Sequence, residues 1–459
     1  MHLDRTACHD RGGVGESVLK ADRRVAEQAG ESALEPLALL ADGGLERRNG
    51  LLLDGGVPLP EIAARFGTPT YVYNADVIRA QYGALDAALA GTPHQICFAV
   101  KANGNLGVLR VLRDLGAGAD IVSAGELARA LAAGFDPTRI VFSGVGKRPD
   151  ELRAAARARI GHVNVESLDE IEALAAAADA EAVNVEVGIR VNPDVSAATH
   201  PYISTGKGGI KFGVPVDQVV EAARRIVAHP RLRLTTLAMH IGSQLTDVAP
   251  YVQGARRLVE LVEAVRGLGV SLEVLDVGGG LGIRYRHETP LDPRAWADAV
   301  APVVRATGLS LHLEPGRYLV GAAGLLLTRV LYRKHSGGKE FVIVDAGMND
   351  LERPSRYQAY HAIVPVTRRA GEGFTADVVG PVCETGDFFA IDRALAPLDA
   401  GDLVAVLGAG AYGFAMASNY NTRPLPAEVI VEGGGAWLAR PRQTVEELFR
   451  DERVSSEAS

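Results

Sequence analysis

Residues 94–147 read HQICFAVKANGNLGVLRVLRDLGAGADIVSAGELARALAAGFDPTRIVFSGVGK, in which three short apolar runs are separated by two Ala/Leu/Arg-rich stretches. The runs favour strands, and the stretches between them place apolar residues at helical spacing. Continuously apolar strands that alternate with helices are typical of a parallel sheet covered by helices. This segment therefore predicts an α/β fold.

The alternation extends outward from this segment to eight apolar runs. They are HQICFAVKAN (94–103), GADIVSAGE (118–126), RIVFSGVGK (139–147), HVNVESLDE (162–170), VNVEVGIRVNP (183–193), LTTLAMHIGSQ (234–244), LEVLDVGGGLG (272–282) and LSLHLEPGRY (309–318). Eight such units favour a (β/α)8 barrel, with a doubly wound sheet as the alternative. After about Val320, five strand-like runs separated by Pro and Gly predict an antiparallel β-sandwich or β-barrel domain.

The predicted organisation of the 459 residues has five parts. They are a loosely ordered N-terminal extension (1–36), a segment that partly joins the β domain (37–74), the barrel (75–318), the β domain (319–450) and a C-terminal tail (451–459). Two domains of this size suit the chain length.

Charge and cysteine content restrict the class of protein. A net charge of −8 offers no attraction for nucleic acid or an anionic membrane. Three cysteines cannot form a disulfide framework, and no apolar stretch has the length of a membrane span. We therefore expect a cytoplasmic protein that acts on a small molecule.

Chemically active residues follow four of the predicted strands. Lys101 ends the first predicted strand, His240 the sixth, Gly278–Gly280 follow the seventh, and Glu314–Arg317 follow the eighth. In a barrel, the C-terminal ends of the strands form the rim that carries the active site. An amine, an imidazole, a glycine loop, a carboxylate and a guanidinium are thus expected on one rim.

These groups suit pyridoxal phosphate. A lysine can form a Schiff base with its aldehyde, and a glycine-rich loop lets backbone N–H groups approach its phosphate. A carboxylate such as Glu314 can keep the pyridine nitrogen protonated, and His240 can lie flat against the ring. Taken singly, each residue has a commoner explanation, such as a solvated lysine or an ordinary loop. Their coincidence on one rim favours a cofactor site.

Several motifs resemble those of the fold-type III pyridoxal-phosphate-dependent decarboxylases. They are FAVKANGN around Lys101, HIGSQ around His240, DVGGGLG, and EPGR at 314–317. A second set narrows the resemblance to the diaminopimelate decarboxylase family: NPDVSAATHPYISTGKGGIKFG (192–213), SGVGK (143–147), DAGMNDLERPSRYQAYH (345–361), CETGD (383–387) and GAYG (410–413). The resemblance covers roughly residues 40–450. Thr385 stands where we expect Ser in this family.

The resemblance implies a barrel plus a β domain, a head-to-tail homodimer, and decarboxylation of meso-2,6-diaminopimelate to L-lysine and CO2. It implies that Lys101 carries the cofactor, His240 stacks on its ring and Glu314 pairs with its pyridine nitrogen. Asp120 and Arg190 are expected to support the cofactor from behind. The phosphate is expected near Ser243, Gly278, Gly279, Gly280, Gly316, Arg317 and Tyr412.

The resemblance also implies a substrate site. Its expected residues are Arg317, Arg353, Tyr357 and Tyr412, with Cys383 and Glu384 entering from the other subunit. Cys383 is expected to give a proton to the substrate Cα, and Glu384 to bind the substrate's far end. The substrate's chemistry agrees, because its far end carries a carboxylate and an ammonium that suit Arg353 and Glu384. We expect no metal.

Two alternatives stay open. A related decarboxylase can act on another amino acid, or on a carrier-bound one, in polyamine or secondary metabolism. A pyridoxal-phosphate racemase or a cofactor-binding regulatory protein is the other. Arg353, Tyr357 and Glu384 favour diaminopimelate, while the strand-rich region after Val320 and the CETGD segment argue against a racemase or a single-domain binder.

Overall fold

The computed structural model describes residues 36–195 and 211–454. The predicted N-terminal extension up to residue 35, residues 196–210 and the last five residues of the predicted tail lie outside the described residues. No helix within the described ranges combines the length and apolar character needed to cross a membrane.

The chain enters the barrel through a small N-terminal region. This region contains α1 (Leu37–Asp42), β1 (Leu45–Arg48), β2 (Leu51–Asp54), β3 (Val57–Pro58), α2 (Leu59–Phe66) and β4 (Thr70–Asn74). Strands β1, β2 and β3 form an antiparallel sheet. Asn74 then caps the next helix, since its side chain accepts hydrogen bonds from the backbone N–H groups of Asp76 and Val77.

Eight parallel strands form a closed barrel. They are β5 (His94–Ala99), β6 (Gly118–Ile121), β7 (Ile140–Phe142), β8 (His162–Val165), β9 (Val185–Asn192), β11 (Leu232–Met239), β12 (Val274–Asp276) and β13 (Ser310–Leu313), while β10 (Val214–Pro215) extends beside β9. Every residue of β6, β7 and β8 is buried, which is why these runs are not interrupted at alternate positions. Pairing of β8 with β9 and of β13 with β5 closes the ring.

Within the described residues, eight helices surround the barrel. They are α3 (Ala75–Ala88), α4 (Leu106–Asp114), α5 (Ala124–Ala132), α6 (Pro149–Ala158), α7 (Leu168–Glu181), α8 (Val219–Ala228), α9 (Ala249–Arg266) and α10 (Pro293–Arg305). Helix α3 precedes the first barrel strand and packs against α4 and α10. It completes the helical ring, because the chain leaves β13 through the four-residue helix α11 (Arg317–Val320).

The remaining strands form a second large sheet. Its region contains β14 (Gly324–Ser336), β15 (Lys339–Val344), α12 (Arg353–Tyr357), β16 (Ile363–Pro365), β17 (Phe374–Val379), β18 (Phe388–Leu395), β19 (Leu403–Leu407), β20 (Ala427–Glu432) and β21 (Gly435–Arg440). The strand order is β18-β17-β15-β14-β4-β20-β21, and β19 pairs with both β14 and β16. Most pairs are antiparallel, but β15–β17 and β4–β20 are parallel.

The closed barrel confirms the predicted (β/α)8 architecture and excludes the doubly wound alternative. All five strand-like runs after Val320 form strands, and the structure adds β16, β18 and β21. One local detail differs from the prediction. Strand β5 ends at Ala99, so Lys101 lies in the short 3-10 turn that follows rather than in the strand.

The 13-residue strand β14 is the centre of the second sheet, and Leu326 is one of its fully buried residues between β4 and β19. We predict that Leu326→Ala lowers the free energy of unfolding by about 2–5 kcal/mol, since it leaves a cavity in a packed core. Leu331→Ala on the same strand, where the residue is 36% exposed, is the matched control and should cost less than about 1 kcal/mol. Urea unfolding followed by circular dichroism measures both; equal losses would contradict the central role of Leu326.

Candidate active site

A cavity of about 380 Å³ lies between the C-terminal rim of the barrel and loops of the second sheet. Its lining residues are Lys101, His240, Ser243, Gln244, Tyr285, Glu288, Arg317, Arg353, Tyr357, Ala359, Tyr360, Tyr412 and Met416. Residues that follow β5, β11, β12 and β13 thus meet residues carried by the second sheet. The rim is where catalytic groups of barrel enzymes collect.

Lys101 reaches the cavity from the turn after β5. Its Nζ donates a 2.9 Å hydrogen bond to Oδ2 of Asp120, which lies fully buried on β6. Burial lowers the pKa of the Lys101 ammonium, but the charges of Asp120, Tyr412 and Glu314 outweigh it, and the net pKa is raised. The Lys101 side chain is 37% exposed and faces the cavity. The lysine is therefore held in place while its amine stays accessible.

Buried carboxyl groups surround Lys101. Glu314 follows β13, and its Oε1 accepts a 3.3 Å hydrogen bond from the Ser143 hydroxyl. Burial, Asp120 and Asp276 all raise the pKa of Glu314 well above its usual value. The pKa of Asp276 is raised to about 7, chiefly by burial. Buried acids in this state are stabilised by a nearby positive charge.

His240 faces the cavity as a neutral ring. Its Nδ1 accepts a 3.2 Å hydrogen bond from the backbone N–H of Gly279, which leaves the ring proton to Nε2. Burial, together with the charges of Arg190 and Lys101, lowers the pKa of His240 well below its usual value. An uncharged, oriented imidazole is suited to stacking on an aromatic ring.

The glycine loop after β12 is tightly enclosed. A Cβ on Gly278 would lie 2.3 Å from the Met239 carbonyl oxygen, and one on Gly279 would lie 2.1 Å from that of Glu314. Gly278 and Gly280 also have positive φ angles of 71° and 111°, which favour glycine. The loop therefore links the ends of β11 and β13 at distances that no side chain allows.

Two buried guanidinium groups lie on the same cavity. Arg317 donates from Nη1 to the Tyr285 hydroxyl at 2.6 Å and from Nη2 to the Ser243 hydroxyl at 3.1 Å, and its Nε has no partner among the described residues. Arg353 donates from Nη1 to His361 Nε2 at 2.8 Å. No carboxylate of the described chain lies within 4.0 Å of either group's nitrogens. Buried cations without counter-charges favour an anionic ligand.

Arg190 lies behind the cavity rather than on its surface. Its Nη1 pairs with Oε1 of Glu166 at 2.8 Å, and its guanidinium lies 4.9 Å from the centre of the Phe212 ring. The same Glu166 oxygen accepts the backbone N–H of Gly144 at 2.7 Å. Arg190 therefore adds positive charge near His240 and Glu314 without contacting the open space.

The charges of the cavity fit pyridoxal phosphate. The buried carboxyl groups of Asp120, Asp276 and Glu314 would suit a protonated pyridine nitrogen. Oδ1 of Asp120 and Oδ2 of Asp276 have no hydrogen-bond partner among the described residues. The guanidinium of Arg317 and the glycine loop suit a phosphate. Each charged end of this cofactor thus has a complementary group.

Most predicted site residues meet at this cavity. Lys101, His240, Ser243, Arg317, Arg353, Tyr357 and Tyr412 line it, while Asp120, Arg190, Glu314, Gly278, Gly279, Gly280 and Gly316 lie directly behind that lining. Cys383 and Glu384 are exposed and lie outside it. The backbone N–H of Cys383 donates to Asn421 Oδ1 at 2.8 Å, and Glu384 contacts the Tyr420 hydroxyl.

Several cavity residues were not predicted from the sequence. They are Gln244, Tyr285, Glu288, Ala359, Tyr360 and Met416 on the lining, and Asp276 and His361 beside it. Gln244, Asp276, Ala359, Tyr360 and His361 lie inside motifs that were singled out, so their positions offered a signal. Tyr285 and Glu288 lie in the loop that follows the glycines, where no pattern marked them.

Comparison with known proteins agrees with the site. The family model described as the pyridoxal binding domain of pyridoxal-dependent decarboxylases matches residues 75–321. A curated diaminopimelate decarboxylase from Pseudomonas aeruginosa is 51% identical over 89% of this chain and 98% of its own length. One from Vibrio cholerae is 46% identical over 90% of this chain and 99% of its own length.

Solved structures give the same result. The crystal structure of diaminopimelate decarboxylase from Helicobacter pylori complexed with L-lysine has a TM-score of 0.83 and 40% identity, covering 85% of this chain and 98% of that one. The enzyme from M. jannaschii in complex with L-lysine has a TM-score of 0.85 and 34% identity, covering 90% and 98%. Fold and site define a pyridoxal-phosphate-dependent decarboxylase of the barrel type. Within that class, the chain belongs to the diaminopimelate decarboxylase family.

The enclosed glycine loop generates a prediction. Gly279→Ala should lower the free energy of unfolding by about 1–3 kcal/mol, because the added methyl group overlaps the Glu314 carbonyl and must push β13 away. The same shift should reduce the cofactor content of the purified protein, read from its absorbance in the near-ultraviolet and visible range.

Gly146→Ala is the matched control, since a Cβ there has no neighbour within 4 Å. It should change stability by less than about 0.5 kcal/mol and leave cofactor content unchanged. If Gly279→Ala behaves like the control, the loop does not require a glycine at position 279.

Proposed function

We propose that this protein decarboxylates meso-2,6-diaminopimelate to L-lysine and CO2, with pyridoxal phosphate held by Lys101. The observation that carries the proposal is that acidic and basic side chains lie around one cavity without neutralising each other there. An acidic group surrounds Lys101, and two buried guanidinium groups face the same space without carboxylate partners in the described chain. The named relatives and the lysine-bound structures support this choice of substrate and product.

Bound pyridoxal phosphate supplies an electron-accepting ring that stabilises the negative charge left at Cα when CO2 departs. Lys101 would hold the cofactor and would later release the product from it. Asp120 orients the lysine by its 2.9 Å hydrogen bond. Glu314 would keep the pyridine nitrogen protonated, and the neutral ring of His240 would stack on the bound cofactor.

The remaining site residues divide between phosphate and substrate. Ser243, the glycine loop, Gly316 and Tyr412 are proposed to bind or enclose the phosphate, and Arg317 lies between that end and the substrate. Arg353 and Tyr357 are proposed to bind the far carboxylate of the substrate. Arg353 suits this role because it is buried and its described contacts are neutral.

The active site is proposed to be shared in a head-to-tail homodimer. Cys383 and Glu384 are exposed and lie outside the cavity of their own chain, although their proposed roles require contact with substrate. Projection into the cavity of a second copy satisfies both conditions. There Cys383 would deliver a proton to Cα, and Glu384 would bind the distal ammonium.

We also propose a domain division, a cellular location and a restriction on the substrate class. The division into a barrel at 75–318 and a β domain at 319–450, with residues 37–74 partly joining the latter, agrees with the pairing of β4 with β14 and β20. A cytoplasmic location suits the free thiols of Cys97 and Cys383. The arginine pair disfavours a related decarboxylase for a monocarboxylic amino acid, which would leave Arg353 without a counter-charge.

A panel of amino acids tests the function directly. We predict CO2 release from meso-diaminopimelate at a specificity constant at least about a hundredfold above that for lysine, ornithine or arginine, since these leave buried charges unpaired. Stoichiometric L-lysine should accumulate. Turnover of lysine or ornithine at a rate equal to that of meso-diaminopimelate would overturn the substrate assignment.

Mixing two inactive variants tests the shared site. Lys101→Ala and Glu384→Ala should each lose activity by orders of magnitude when pure. After joint unfolding and refolding, an equal mixture should regain about a quarter of the wild-type activity, because half the dimers are mixed and one of their two sites is intact.

Joint refolding of Lys101→Ala with Asp120→Ala is the control, since one chain supplies both residues to each site and no intact site can form. Recovery in the control, or none in the test mixture, contradicts sharing of the site between subunits.

A further inference from the structure

Tyr285 lies between the two buried guanidinium groups of the cavity. It follows the glycine loop and is itself buried, with its ring on the cavity wall. Its hydroxyl accepts the 2.6 Å hydrogen bond from Nη1 of Arg317. The guanidinium of Arg353 lies 4.5 Å from the centre of the same ring. One side chain thus contacts both cations, by its oxygen and by its ring.

His361 holds Arg353 from the other side. Its Nδ1 donates to the Leu407 carbonyl oxygen at 2.8 Å, which leaves Nε2 to accept the hydrogen bond from Arg353 Nη1 at 2.8 Å. The rings of His361 and Tyr285 meet edge to face, with centres 5.4 Å apart. Arg353 is therefore fixed by two aromatic side chains, neither of which neutralises its charge.

The loop that carries Tyr285 is braced by its own carboxylate. Oε2 of Glu288 accepts the backbone N–H of Tyr285 at 3.0 Å and that of Arg286 at 2.7 Å. The Glu288 carboxylate is therefore hydrogen-bonded to the backbone of its own loop. This contact fixes the position at which the Tyr285 side chain enters the cavity.

Two like charges in one buried space repel each other. Burial lowers the pKa of Arg353, and Arg317 adds to this lowering, while Tyr285 opposes it. The pKa of Tyr285 is lowered because Arg317 and Arg353 outweigh the effect of burial. The phenol accordingly compensates part of the repulsion without supplying a full counter-charge, so both arginines remain available to anions.

We propose that Tyr285 is the positioning residue that keeps Arg317 and Arg353 apart and aimed at two different anions. Its hydroxyl orients Arg317 beside Ser243, at the phosphate end, and its ring orients Arg353 toward the far carboxylate of the substrate. The site thereby selects a substrate that brings a carboxylate to a cation already in place. This inference rests on the proposed function, because it assumes the two anions named there.

Two substitutions separate the oxygen from the ring. Tyr285→Phe removes the hydrogen bond to Arg317 but keeps the ring beneath Arg353. For the cofactor-stripped protein, we expect the pyridoxal phosphate concentration that gives half-saturation to rise about tenfold, because one charge-assisted hydrogen bond is lost. KM for meso-diaminopimelate should change less than about threefold, because the ring contact with Arg353 remains. Tyr285→Leu removes both contacts and should in addition raise KM by about thirtyfold or more.

The controls identify general damage and failure of the proposed function. Tyr82→Phe changes a buried tyrosine outside the cavity and should alter neither constant. Circular dichroism and the melting temperature show whether each variant folds. Two results would show that the positioning role is wrong, provided that wild type releases CO2 from meso-diaminopimelate. One is that Tyr285→Phe weakens the binding of cofactor and of substrate equally. The other is that folded Tyr285→Leu leaves KM unchanged. If wild type releases no CO2, the proposed function fails, and the cofactor titration still tests the contact between Tyr285 and Arg317.

Discussion

Pairing between the first and last barrel strands is the constraint on which the site depends. Strands β5 and β13 are more than two hundred residues apart in the chain, yet Leu311 pairs with His94 and closes the ring. The chain then passes from β5 to Lys101 and from β13 to Glu314, so closure places a lysine beside a buried acid. In an open sheet, these two strand ends would not be joined. The chemistry of the cavity is thus a result of the topology.

Charge is distributed unevenly around the space that closure creates. Beside Lys101, the carboxyl groups of Asp120, Asp276 and Glu314 are buried together, and the pKa of Glu314 is raised well above its usual value as a result. Elsewhere on the cavity, Arg317 and Arg353 are cations held by neutral tyrosine, serine and histidine groups. Each group carries an unfavourable charge that a ligand of opposite charge relieves. Burying these charges lowers the stability of the folded protein, and the same charges contribute free energy to ligand binding.

The fold was largely predictable from the sequence, because continuous apolar runs are the direct signature of strands buried on both faces. Pairings between distant strands were not: β4 lies parallel to β20, and only the assembled sheet decides that register. Among site residues, Lys101 and Arg317 were marked by position after a strand. Tyr285 was not, because its importance comes from Arg353 and His361, which the second sheet supplies. Periodicity reports which side of an element is buried and carries no information on such contacts.

A second lysine allows the most direct test of the role assigned to Lys101. Lys147 also follows a barrel strand, but it is almost fully buried and donates to the carbonyls of Gly144 and Asn164 and to Glu170. Borohydride reduction of the holoenzyme, followed by mass spectrometry of its peptides, shows which lysine holds the cofactor. We predict a reduced pyridoxal phosphate adduct on the peptide containing Lys101 and none on the peptide containing Lys147. An adduct on Lys147 or any other lysine, with Lys101 unmodified, would contradict it.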